Sequence, residues 1–142
     1  MSTVKEILDE KGCAVWSIHP DASVYEAIEL MAEKGVGAVL VTRDQKLEGI
    51  LSERDYARKV ILRARSSKET PVRDIMTPDV ITVSPATRVE DAMGVMTERH
   101  IRHLPVVEGG AIRGVVSIGD LVKWIIDEQK YVIRQLEGYI AS

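Results

Sequence analysis

Residues 15–61 and 80–126 align at a constant offset of 65 without a gap, with 11 identities in 47 positions. Val15, Pro20, Val24, Ala27, Met31, Glu33, Val41, Gly49, Ser52, Asp55 and Ile61 recur as Val80, Pro85, Val89, Ala92, Met96, Glu98, Val106, Gly114, Ser117, Asp120 and Ile126. Many other pairs are apolar exchanges, such as Ile50 for Val115. A chain that repeats at this length builds two copies of one supersecondary unit. Units of about 60 residues are marginal alone, so the two are expected to share a core. Like halves packed face to face leave clefts between them, and ligands favour such interfaces.

Each copy reads as strand, helix, strand, strand, helix, a tandem β-α-β-β-α arrangement of the α/β class. In the first copy Ala14–Ile18 is a short strand ending at Pro20. The spacing of Val24, Ala27, Ile28 and Met31 predicts a helix over 24–34. Ser23 and Glu26 form a capping box at its start, and Gly35 closes it. Gly37–Thr42 is a continuous apolar strand, Arg43–Lys46 a polar turn, Leu47–Leu51 a further strand, and Arg54–Arg65 the second helix. The second copy repeats this with strands at Val80–Val83, Arg102–Val107 and Ile112–Val116, a helix at Val89–Arg99, and another from Gly119 onward. Glu108-Gly109-Gly110 marks its hairpin.

The duplication extends upstream. Thr3–Leu8 matches Pro71–Met76 in pattern at an offset of 68, so the first copy carries three extra residues around Glu10–Cys13. A short helix is expected in each place, with Val4, Ile7 and Leu8 held by the core. The repeats are assigned to residues 1–66 and 67–142, divided in the polar linker Arg63–Thr70. In the tail, Val132, Ile133, Leu136 and Ile140 form one helical stripe, suited to this chain's core or to a second subunit.

The chain has 45% apolar and 29% charged residues, a globular and not a disordered balance. No apolar run approaches the roughly 20 residues of a membrane span, and Met1–Lys11 has no signal-peptide pattern. Cys13 is the sole cysteine, which excludes an intrachain disulfide and points to the cytoplasm. A net charge of −3 argues against a nucleic-acid partner. Between Arg54 and Lys68, however, six basic residues stand against the single acid Asp55. That run reads either as a solvated helix face or as an anion-facing patch.

Two stretches carry chemistry. Ser52-Glu53-Arg54-Asp55 and Ser117-Ile118-Gly119-Asp120 each follow a strand and open a helix. Such a pattern is a helix cap in its own right. It also presents backbone N–H groups to an anion and a carboxylate to the vicinal hydroxyls of a ribose. The second stretch is His100-Ile101-Arg102-His103-Leu104-Pro105, where cations stand at the start of a buried strand. Its counterpart in the first copy, Gly35-Val36-Gly37-Ala38-Val39-Leu40, has only small and apolar side chains. A cleft with a phosphate-binding wall and a small-residue floor for a flat base accounts for both.

The paired copies resemble the cystathionine-β-synthase-type regulatory module, the CBS domain pair. The resemblance rests on Val72-Arg73-Asp74-Ile75-Met76-Thr77 leading into a strand, on Arg102–Val107, and on Gly-x-x-Ser-x-x-Asp at Gly49–Asp55 and Gly114–Asp120. It implies a tandem pair about a pseudo-twofold axis, with clefts that take AMP, ADP, ATP, NAD or S-adenosylmethionine, AMP foremost, and assembly into a flat homodimer. By the same resemblance Asp120 and Asp55 are the ribose acids, with Ser117, Gly119, Ser52 and Arg54 beside them. The base in the Asp120 cleft would lie against Cys13, Trp16 and Ile18, with Gly37 and Ala38. In the Asp55 cleft it would lie against Thr77, Val80 and Ile81, closed by Arg102 and His103 on the phosphates.

Neither a Ser–His–Asp order nor CxxC, HExxH or a Walker loop occurs. His100 and His103 lack a neighbouring cysteine or acid, which makes a metal site a poor reading. The expected function is therefore a non-enzymatic sensor of adenosyl nucleotides. The alternative is a scaffold for an unknown protein partner, working through the basic run and the C-terminal stripe.

Overall fold

The computed structural model describes residues 2–141. The outermost residues of the two assigned repeats, Met1 and Ser142, lie outside the described residues. The elements are α1 (Val4–Lys11), β1 (Ser17–Ile18), α2 (Val24–Lys34), β2 (Ala38–Arg43), β3 (Lys46–Ser52), α3 (Glu53–Tyr56), β4 (Thr77–Pro78), α4 (Val89–Arg99), β5 (His103–Glu108), β6 (Ala111–Ser117) and α5 (Ile118–Ala141).

Local signals set the helices. Ser23 Oγ accepts the Glu26 N–H and Glu26 Oε2 accepts the Ser23 N–H, so α2 starts on a complete capping box. It ends on Gly35 in the left-handed region, φ 65°, where a glycine costs nothing. At the matching end of α4 the same conformation falls to His100, φ 56°. The β2–β3 turn uses Asp44 and Gln45, both at positive φ, as a two-residue hairpin of this hand requires. Gly109 and Gly110 do the same for β5–β6. Val39, Leu40 and Val41 of β2 are all buried, in keeping with a strand covered on both faces.

Strands β1 to β4 form one sheet in that order, with β1 parallel to β2 and the other pairs antiparallel. Strands β5 and β6 pair antiparallel, and Val83 joins them by one parallel bridge to Val106. The leading strands are thus shorter than the sequence suggests. Of 14–18 only Ser17 and Ile18 join the ladder, and of 80–83 only Val83 does so. The other residues run along the clefts, and Asp79 at φ 52° breaks the extended path. The helix expected over 54–65 is α3 followed by a π-helical turn, Ala57–Ile61.

Two buried clusters replace the expected shared core. The first holds Val24, Ala27, Met31, Val39, Val41, Leu51 and Val60, together with Val72 and Ile75. The second holds Val83, Val89, Ala92, Met96, Leu104, Val106, Val116 and Leu121, together with Val4, Ile7 and Leu8. The segment ahead of each repeat therefore packs into the other half. Backbone bonds follow the same exchange. The Val4 N–H donates to Thr87 O at 2.8 Å, and the Val72 N–H to Ala22 O at 2.8 Å. The Lys5 N–H reaches Pro85 O and the Arg73 N–H reaches Pro20 O, each at 2.9 Å. Residues at equal offsets thus make equal bonds, which is a pseudo-twofold axis expressed in hydrogen bonds.

The exchange explains the glycines of the two Gly-x-x-Ser-x-x-Asp stretches. A Cβ on Gly114 would stand 2.8 Å from Leu8 Cδ2, and one on Gly49 would stand 2.6 Å from Met76 Sδ. Leu8 and Met76 are equivalent at the offset of 68. The bare glycine lets the exchanged segment lie against the strand.

Candidate nucleotide clefts

Two clefts open between the halves. The first encloses about 390 Å³ and the second about 380 Å³.

The first is built on the start of α3. Ser52 accepts the Asp55 N–H at 3.2 Å, and Asp55 Oδ2 accepts the Ser52 N–H at 3.0 Å. Lys59 lies 3.3 Å from Asp55 Oδ1 and donates to Ile75 O at 3.0 Å. Ser52, Arg54, Asp55, Thr77, Val80, Ile81, Arg102 and His103, all singled out from the sequence for this cleft, line it together. Arg58, brought in by the π-helical turn, and His100 add cationic-capable groups to the same wall; Glu53 and Asp79 add carboxylates. Three guanidinium groups therefore face one cleft.

The second is built on the start of α5 and is less cationic. Asp120 Oδ2 accepts the Ser117 N–H at 2.8 Å, and Ser117 Oγ accepts the Asp120 N–H at 3.1 Å. Lys11, at the end of the exchanged helix α1, lies 2.7 Å from the same Oδ2 and donates to Val115 O at 3.0 Å. Burial would raise the Asp120 pKa and is the largest single influence. The Lys11 ammonium and the Ser117 bonds together outweigh it and hold the carboxyl below its ordinary 3.8. Among the described residues Asp120 Oδ1 has no hydrogen-bond partner. Trp16, Gly37, Ala38, Ser117 and Asp120 line the cleft as the sequence suggests. The Lys34 ammonium lies 4.6 Å from the Trp16 ring centre.

Three expected members do not reach that wall. Cys13 is exposed beside it. Ile18 turns inward and packs on the first core, and Gly119 has no side chain to extend from the first turn of α5. Lys11 belongs to no motif in the sequence, because its partner lies 109 residues away. The charge of Lys11 inside the three-residue insertion was the available signal.

His103 lines both clefts, as do Gly37 and Ile50. From the sequence His103 is expected in one cleft and Gly37 in the other. In the fold they meet at the pseudo-axis: a Cβ on Gly37 would stand 3.7 Å from the His103 ring. Burial lowers the His103 pKa most. Lys11 and Arg102 lower it too, against opposing pulls from Asp120 and Glu53, and the imidazole lies below its ordinary 6.5.

Matches to known proteins agree with this geometry. The chain matches the CBS domain family twice, over residues 4–62 and 72–127. It is 40% identical to the Arabidopsis thaliana protein "CBS domain-containing protein CBSX3, mitochondrial", across 98% of this chain and 72% of that one. A solved CBS-domain protein from Burkholderia ambifaria MC40-6 superposes with a TM-score of 0.87 at 49% identity, covering 90% of this chain and 96% of its own. The CBS domain pair of protein MJ0100, solved with 5-methylthioadenosine and S-adenosyl-L-methionine, has the same fold, with a TM-score of 0.80 at 23% identity, covering 90% of this chain and 98% of its own. With both repeats matched and the exchange-packed halves in place, the chain belongs to the CBS domain family as a tandem CBS pair, a regulatory module.

Proposed function

We propose that this chain is a non-catalytic sensor that binds adenosyl nucleotides in the clefts between its two CBS repeats and works as a homodimer. The observation that carries the reading is the repeated helix start. In each half a Ser-x-x-Asp tetrad sets a carboxylate at the mouth of a cleft whose other wall comes from the opposite repeat. A ribose diol donates two hydrogen bonds and fits such a carboxylate. The MJ0100 pair was solved with adenosyl compounds, which supports the ligand class.

The clefts differ in charge, and this divides the ligands. Arg54, Arg58 and Arg102 suit the Asp55 cleft to a chain of phosphates, as in ADP, ATP or NAD. The Asp120 cleft offers one lysine, small residues and Trp16, which suits AMP or S-adenosylmethionine with the base against the indole. The lone thiol keeps the cytoplasm as the proposed compartment. No described helix is long and apolar enough to cross a membrane.

Thermal unfolding tests the reading. AMP, ADP or NAD at 100 times its dissociation constant adds about 2.7 kcal/mol to the native state. That raises the melting temperature of a domain this size by roughly 5–11 °C. The matching pyrimidine nucleotides leave it unchanged. If millimolar adenosyl ligands leave it unchanged as well, the clefts are vestigial. The scaffold reading then holds, and the exposed face of α5 is the working surface.

A further inference from the structure

The two clefts hold their acids in different ways. In the first, Lys59 reaches Asp55 from one turn further along the same helical segment, and it does not line the cleft. In the second, Lys11 reaches Asp120 from the end of α1 and lines the cleft itself. Lys11 stands in the stretch that the second copy lacks, so its contact is not part of the repeat.

Lys11 leaves a donor unused. An ammonium has three N–H donors. Two are committed, to Asp120 Oδ2 at 2.7 Å and to Val115 O at 3.0 Å. Among the described residues the third has no partner, and neither has Asp120 Oδ1. An open acceptor and an open donor therefore belong to one ion pair on one wall. A ribose hydroxyl can donate to Oδ1 while Lys11 keeps its hold on Oδ2. The third N–H is then available to what the ligand carries beyond the ribose, and an anionic oxygen is its strongest acceptor.

Charge selects the same ligand. Burial is the main cause that keeps the His103 pKa below its ordinary 6.5, so at pH 7.5 the imidazole is neutral. Apart from Asp120 and Lys11, the other side chains lining this cleft carry no charge. Without Lys11 the wall would present a bare carboxylate, which repels a phosphate. With Lys11 the pair is neutral and an ammonium donor remains.

We propose that Lys11 is the residue that makes the Asp120 cleft selective for an adenosyl ligand with a 5′-phosphate over the neutral nucleoside. This rests on the adenosyl reading of the cleft and narrows its ligand.

Titration calorimetry with AMP and with adenosine at pH 7.5 tests it on the full chain, reading the binding that Asp120→Ala removes. Wild type is expected to hold AMP about tenfold tighter than adenosine, the worth of one charge-assisted hydrogen bond at a site open to solvent. Lys11→Met is expected to bind the two ligands alike, and Lys11→Arg, which keeps the charge, to retain the preference. Both ligands are read on the same protein, so a loss of folded protein cancels in the ratio. A purely structural role for Lys11 would weaken both ligands together and leave the ratio unchanged, which overturns the proposal. So does a wild type without the preference, a Lys11→Arg protein that loses it, or AMP binding that survives Asp120→Ala in full. If wild type binds adenosine but does not prefer AMP, this proposal alone fails. If it binds neither, the adenosyl reading fails and takes the proposal with it.

Discussion

Asp120 caps α5 and neutralises Lys11 through one carboxylate oxygen, Oδ2. Asp55 caps α3 and pairs with Lys59. Replacing either acid with alanine is expected to lower stability by about 1 kcal/mol through the lost cap. In titration calorimetry with AMP, Asp120→Ala is expected to lose a further ~1.5–3 kcal/mol of binding, the worth of a charge-assisted bond. Asp55→Ala should lose less, because that cleft favours longer phosphate chains. Equal losses would mean equivalent sites, and no loss would leave both tetrads as helix caps only. His103 gives a pH signature. Its folded pKa lies below 6.5, so as pH falls through 6.5 the unfolded chain takes up a proton that the folded chain refuses. This contribution is complete above 6.5 and is lost on acidification below it. Asp120 does not add to the loss until pH falls below 3.8. His103→Gln is therefore expected to flatten the melting temperature between pH 6.5 and 5, measured by calorimetry; an unchanged slope would locate the sensitivity elsewhere.

At the scale of elements, the exchanged segments depend on two missing side chains. Gly49→Ala places a methyl 2.6 Å from Met76 Sδ and 3.0 Å from the Thr77 carbonyl, and the backbone atom cannot swing aside. The expected cost is about 1–3 kcal/mol, the range of overpacked cores. Gly94 is the control. It sits inside α4, exposed, with nothing within 4 Å of an added methyl. Gly94→Ala is expected to stabilise by about 0.5–1 kcal/mol through helix propensity. Urea unfolding of the two variants reads both signs, and a Gly49→Ala protein as stable as wild type would show that the exchanged segment is loosely held.

At the scale of the molecule, the exchange ties two cores into one folding unit. Val4, Ile7 and Leu8 complete the second core, and Val72 and Ile75 complete the first. Neither half keeps a full core when the other opens. Calorimetry is expected to give one transition with equal calorimetric and van't Hoff enthalpies. Two resolved transitions would mean that the halves fold separately. The same tie places Lys11 on Asp120, so the second cleft is completed by the beginning of the chain.

Much of this is legible in the sequence. The bounds of α2 and α4, the Ser23 capping box, the two hairpin turns and the family follow from periodicity, capping chemistry and the duplication, all of which act within a few residues or repeat. Those are local preferences, and they are satisfied wherever the segment finally packs. The exchange was not legible. The pattern of Val4, Ile7 and Leu8 suits either core equally, because the two cores descend from one repeated pattern. Nor was the sharing of His103, since a residue's place on a pseudo-axis belongs to neither copy. Which core α1 enters, which carboxylate Lys11 meets and which clefts His103 faces are long-range choices between near-equivalent partners, and only the packed tertiary structure decides among them.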